Sequence, residues 1–178
     1  MKNKLMKSLK EKKKIRLRTT HPDGDNYDGV VLHKTKEIII FQEEYSFEFD
    51  GIHIFPLSFI KSIRDDKHDK CANDILKENG QFKKISKVNL FTKCVSIADC
   101  LNIIKKRNIW PAIEIVKGKA SSLYVGPILE IDDTAVIIKC YDAAGKWEKN
   151  YTLKLVNIVR IEIKSKYLKH FNNYMKNL

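Results

Sequence analysis

The sequence predicts a mainly β protein with flanking helices, of the α+β class: two tandem five-stranded small β-barrels, each introduced by a helix, with a further helix at the C-terminus. Three observations predict it. Residues 124–163 resemble residues 27–64, so the chain carries an internal repeat. Within each copy, short apolar or alternating runs are separated by turn residues. Helical spacing appears only between and outside the copies.

The repeat has a definite register. A shift of 98 places Ile15 on Ile113, Phe55 on Leu153, Ile60 on Ile158 and Ile63 on Ile161. Between those blocks a shift of 97 places Gly29 on Gly126, Val31 on Ile128 and Phe41 on Ile138. Both changes of shift fall in polar or turn-rich segments, where single insertions are tolerated. The implied organisation is a helix and first barrel over 1–68, a helical linker over 69–109 and a second barrel with its C-terminal helix over 110–178.

Taken in order, residues 2–13 are good helix formers with a narrow stripe of Leu5, Met6 and Leu9. Residues 15–19 alternate apolar and charged, the period of a half-buried strand. A turn follows at 21–25, and strands are expected at 29–33 and 38–43. Asp50-Gly51 stands between aromatic-rich arms as a hairpin signal, and Pro56 limits the strand after it. A short helix over 72–79 closes at Gly80, and the charge density of 65–81 makes it the segment expected to be most mobile. Ser96–Asp99 forms a capping-box pattern that opens a second helix with Ile97, Leu101 and Ile104 on one face. In the second copy, strands are expected at 112–116, 125–131, 135–141, 147–155 and 158–163, with turns at Asp132-Asp133 and 142–145. Tyr167, Leu168, Phe171, Tyr174 and Met175 recur at helical spacing near the C-terminus.

Composition narrows the function. The net charge of +12 is confined to the ends: residues 1–18 hold nine Lys/Arg and one Glu, residues 164–178 four Lys and no acid, and 19–163 hold 21 of each sign. No apolar run approaches the roughly 20 residues of a membrane-spanning helix, and the N-terminus lacks the apolar core of a secretory signal, so a soluble, cytoplasmic protein is expected. The four cysteines lack zinc-ligand spacing and are expected to be free thiols. No phosphate-binding glycine loop, dinucleotide fingerprint, paired-histidine zinc helix or nucleophile elbow occurs. The five histidines are scattered; His68 lies near Asp65, Asp66 and Asp69 in what reads as a solvated loop. The expectation is a non-enzyme with no cofactor and no metal.

A helix followed by five short strands, with a Gly early in the second and spaced isoleucines near the end, resembles the Sm-like small β-barrel. Gly29 through Phe41 with Ile52 through Ile63, and Gly126 through Ile138 with Tyr151 through Ile161, carry the resemblance. Sm-like proteins form rings and bind single-stranded RNA through an Asp/Asn-bearing turn and an Arg-Gly pair. Asp132 and Asp133 stand at that turn in the second copy, whereas the first has Lys34, Thr35 and Lys36, and neither 59–63 nor 157–161 contains Arg-Gly.

The leading expectation is therefore a non-catalytic protein-binding module, of the kind represented by bacterial immunity or antitoxin-like proteins that occlude a partner. Its acidic turns suit a protein better than a polyphosphate. The candidate contact residues are Tyr45, Tyr141, Trp147, Asp132 and Asp133, aromatic or charged residues at turns and hairpins. The alternative is nucleic-acid binding through the basic ends, with Lys10, Lys12, Lys13, Lys14, Arg16, Arg18, Lys164, Lys166 and Lys169 contacting phosphates.

Overall fold

The computed structural model describes residues 2–22 and 24–178. Asp23, part of the expected turn at 21–25, lies outside them. The first copy comprises α1 (Lys2–Glu11), β1 (Lys14–Thr19), β2 (Asn26–Lys34), β3 (Ile38–Tyr45), β4 (Glu48–Pro56), a 3-10 turn (Leu57–Phe59) and β5 (Ile60–Arg64). After α2 (Lys67–Glu78), the second copy repeats the order: α3 (Ile97–Lys106), β6 (Ala112–Lys117), β7 (Ala120–Val125), β8 (Ile128–Ile131), β9 (Ala135–Tyr141), β10 (Trp147–Lys154), a 3-10 turn (Leu155–Asn157) and β11 (Ile158–Ile163). The chain closes with α4 (Lys166–Lys176).

The mainly β, α+β class holds, but the strand pairing does not divide at the expected boundary. One eight-stranded sheet runs β5-β1-β2-β3-β4-β11-β6-β7, and β10-β9-β8 forms a second sheet. The two copies are joined where β11 pairs antiparallel with β4, Ile161 opposite Ile54 and Ile163 opposite Ile52. The physical reason is core sharing. Ile38, Ile40, Ile52 and Ile54 of the first copy pack in one cluster with Ile113, Val136, Ile138, Ile158, Ile161 and Ile163 of the second. Ile39, Phe41 and Phe55 turn the other way, onto Leu5, Ile15 and Leu17. With both faces of β3 buried, its sequence IIIF reads as a continuous apolar run rather than an alternation.

Two glycines do the same work in the two copies. Gly29 and Gly126 have φ of 156° and 151°. A Cβ there would stand 2.0 Å from the carbonyl oxygens of Gln42 and Lys139 respectively. Each lets the bent second strand press against the third; in the second copy the bend at Gly126-Pro127 confines the expected strand over 125–131 to β8, and β7 before the bend is a strand that the sequence left unassigned.

Three other local expectations change. The first hairpin turns at Ser46 and Phe47, both at positive φ, with Tyr45 opposite Glu48. Gly51 is instead the extra residue of a β-bulge, between the pairs Gln42–Ile52 and Glu43–Asp50. The expected helix over 72–79 is longer at its start: Asp66 and Asp69 form a capping box that opens α2 five residues earlier, at Lys67. The Ser96–Asp99 box forms as expected and opens α3. No helix among the described residues is long and apolar enough to cross a membrane.

Candidate functional site

The site is defined by what the pairing leaves open. β4 carries β3 on one side and β11 on the other. Among the described residues its counterpart β10 carries β9 alone, with Tyr151 opposite Ile138 and Thr152 opposite Ile137. A shift of 98 maps Ile52, His53 and Ile54 of β4 onto Asn150, Tyr151 and Thr152. These residues therefore occupy the place where a further strand is received in the first copy. Most of β10 is exposed; Tyr151 is half-buried and Leu153 buried. Unpaired N–H and C=O groups along such an edge are a template for strand addition. Glu148, Lys149 and Lys154 place charges along it, the usual guard against indiscriminate pairing.

The contact candidates read from the sequence distribute unevenly. Trp147 stands at the start of β10, 39% exposed, with Lys139 over its ring at 4.5 Å and Trp110 edge-on at 5.7 Å. Tyr45 lies at a hairpin tip remote in sequence from this edge and is 76% exposed. Tyr141 is a correction: it is buried, and its hydroxyl donates to Asn172 Oδ1 at 2.6 Å, fastening α4. Burial pushes its phenol pKa up. Asp132 is also absorbed locally. Its Oδ1 accepts from Thr134 N, Thr134 Oγ1 and Ala135 N, bonds that hold its carboxyl below the usual range. Asp133 is left exposed at the same turn.

The basic candidates separate into compensated and uncompensated groups. Lys14 is buried against Asp28 and Asp69, Arg16 is fastened to Asp28, and Lys13 is 2.6 Å from Asp65. Residues 14–18 are thus a central strand with internal counter-charges rather than a detachable arm. Burial opposes ionisation of Asp69, but Arg64, Lys14 and the Asp66 amide hold its carboxyl well below the ordinary range. The carboxylates around His68 are consumed in the same way: Asp65 by Lys13, Asp69 by Lys14 and Arg64, Asp66 as the helix cap. Lys166 pairs with Glu48 at 2.6 Å. Lys10, Lys12, Arg18, Lys164 and Lys169 are exposed and make no ion pair among the described residues.

A polar cluster that sequence spacing does not suggest lies between the copies. His21 Nε2 is 3.0 Å from Glu114 Oε1, Ser121 Oγ donates to the same oxygen at 2.7 Å, and Arg160 Nε donates to Glu114 Oε2 at 2.7 Å. Burial opposes ionisation of Glu114, yet Ser121, Arg160 and His21 together hold its carboxyl below the glutamate range. His21, Asp25 and Glu114 offer ligand atoms within 4.8 Å of one another, a spacing compatible with a metal ion. Here, however, both Glu114 oxygens are already bonded and Arg160 supplies the positive charge, which makes the cluster a self-neutralised clamp. A cavity of about 500 Å³, lined chiefly by apolar residues including Phe59, Ile97, Val156 and Val159, also takes in Thr20, next to His21 in the chain. No family model, curated protein or solved structure matches the chain.

Proposed function

We propose that the protein is a non-catalytic protein-binding module that receives a strand of its partner along β10. One observation supports the reading: of two equivalent strands, β4 has its second side filled by β11 and β10 has its second side open among the described residues. A module that occludes its partner, as immunity and antitoxin proteins do, needs such a surface and no chemistry of its own. Main-chain bonds along the edge would supply affinity, and Trp147, exposed beside it, a side-chain contact. The twice-repeated order of helix, strands and a 3-10 turn before the last strand supports the Sm-like resemblance as a statement of fold alone.

The test immobilises the full-length chain, captures partners from its source cells and repeats the capture with Tyr151→Pro and Thr152→Pro. The N–H groups of neighbouring strand residues point to opposite sides, so one proline removes a donor from the open edge and the other disturbs β9. The edge-directed proline is expected to abolish capture while leaving the melting temperature close to wild type. Capture unaffected by both substitutions would overturn the reading. So would recovery of nucleic acid in place of protein.

A further inference from the structure

The uncompensated lysines at the C-terminal end converge on an aromatic ring. Lys169, Asn173 and Lys176 fall at i, i+4 and i+7 on one face of α4. Lys164 joins them from the turn between β11 and α4, and Asn108 from the end of α3. Both turn residues have positive φ, 61° and 50°. With Trp110, Asn172 and the apolar Ile109 and Leu168, these side chains line a pocket of about 270 Å³ that has no carboxylate among its described lining residues. Lys164, Lys169 and Lys176 make no ion pair among the described residues, whereas Lys13, Lys14, Arg16 and Lys166 are all paired. Lys176 Nζ lies over the Trp110 ring at 4.7 Å. The indole is held in place by its Nε1–H bond to Asn108 Oδ1 at 3.2 Å, and by Trp147 packed edge-on.

Three like charges in one pocket repel one another unless an anion joins them. A phosphate satisfies ammonium and amide donors together, and an indole face is a platform on which any nucleobase stacks. The volume is near the lower end of small-ligand sites, suited to one nucleotide unit rather than an extended ligand. We propose that this pocket binds a nucleotide, with Lys164, Lys169 and Lys176 on the phosphate and Trp110 against the base, from which Lys176 swings to the phosphate. No described residue of β10 lines the pocket, although Trp147 packs on Trp110 from the start of that strand, and the test of the pocket does not depend on the strand edge.

The chain contains two tryptophans, and they are in contact, so intrinsic fluorescence reports directly on the site. Full-length protein is titrated with AMP, with a single-stranded oligonucleotide and with inorganic phosphate. The expected result is saturable quenching by a base-bearing ligand, weakened at least tenfold in the triple variant Lys164→Gln, Lys169→Gln, Lys176→Gln. A control with the same charge loss on α1 and the turn after it, Lys7→Gln, Lys10→Gln, Lys12→Gln, is expected to change affinity less than twofold. AMP binding as tightly as the oligonucleotide identifies a free nucleotide as the ligand; binding only by the oligonucleotide identifies a single strand. Equal loss in both triple variants would mean non-specific attraction to a basic surface and overturn the site. Absence of quenching by either base-bearing ligand, or full competition by inorganic phosphate at equal concentration, would do the same.

Discussion

The Glu114 carboxylate holds the Arg160 guanidinium at 2.7 Å on one oxygen and faces His21, 93 residues earlier, at 3.0 Å on the other. It thereby ties the β1–β2 connection of the first copy to β6 and β11 of the second. Among the described residues, removing it leaves Arg160 with Glu162 as its one bonded carboxylate, in a largely buried position. Breaking a buried pair from one side is strongly destabilising.

Glu114→Ala is therefore expected to lower unfolding free energy by about 3 kcal/mol, read from urea denaturation. Arg160→Met combined with it should cost much less than the sum of the two single changes, because the second removes a charge that the first has stranded. Simple additivity would show that the cluster is not one unit.

Gly29→Ala and Gly126→Ala should each destabilise by about 3 kcal/mol or more, since the new methyl meets a strand carbonyl and the backbone sits in a region that disfavours side chains. Gly118→Ala is the comparison. It shares a positive φ of 65° but has open space around it, so about 1 kcal/mol is expected. Thermal denaturation of the three variants separates close approach from φ strain.

Stability should fall in acid. Burial raises the carboxyls of Asp28, Asp69, Glu43 and Glu114, but bonds from Arg16 and Lys14, Arg64 and Lys14, His53, and Ser121 and Arg160 respectively leave all four below their ordinary values. A folded pKa below the unfolded one means that the unfolded chain binds protons first, so unfolding free energy rises with pH through that window. The contribution is complete above the unfolded values, about pH 4, and is lost as pH drops through the folded ones. Urea midpoints measured from pH 7 down to pH 3 should hold steady and then decline below about pH 4.

A thiol reagent should titrate one cysteine in the native protein and four after unfolding. Cys71 is exposed, and Cys94, Cys100 and Cys140 are buried. Burial pushes the Cys94 and Cys100 thiols up and that of Cys140 to about 11, so neither access nor thiolate is available to them. Fast labelling of a second thiol would indicate local opening around α3 or β9.

The elements themselves were legible because their causes are local. Period-2 alternation marked β1, a Ser–Asp box marked α3, and the repeated Gly29 and Gly126 marked the bend that each copy needs. Expectation and structure part where a local signal has two readings: Asp50-Gly51 suits a turn or a bulge, and the charged run at 64–70 suits a loop or the first turn of a capped helix. Of the contact candidates, Trp147 was readable as an aromatic beside a hairpin. Tyr141 looked equivalent in sequence, and only the packing of α4 buries it. Lys14 and Arg16 looked like an arm because charge was visible and counter-charge was not.

Sequence by itself therefore determined the mainly β class with its flanking helices, most of the strands and helices though not β7, and the location of excess charge, all of which depend on neighbouring residues along the chain. Tertiary structure alone decided which edges are filled, which lysines are neutralised and which side chains meet. Ile54 finds Ile161, Glu114 finds His21, and Lys164 joins Lys176 at Trp110. Such meetings depend on the shared core that folds one copy against the other, and spacing along the chain carries no record of them.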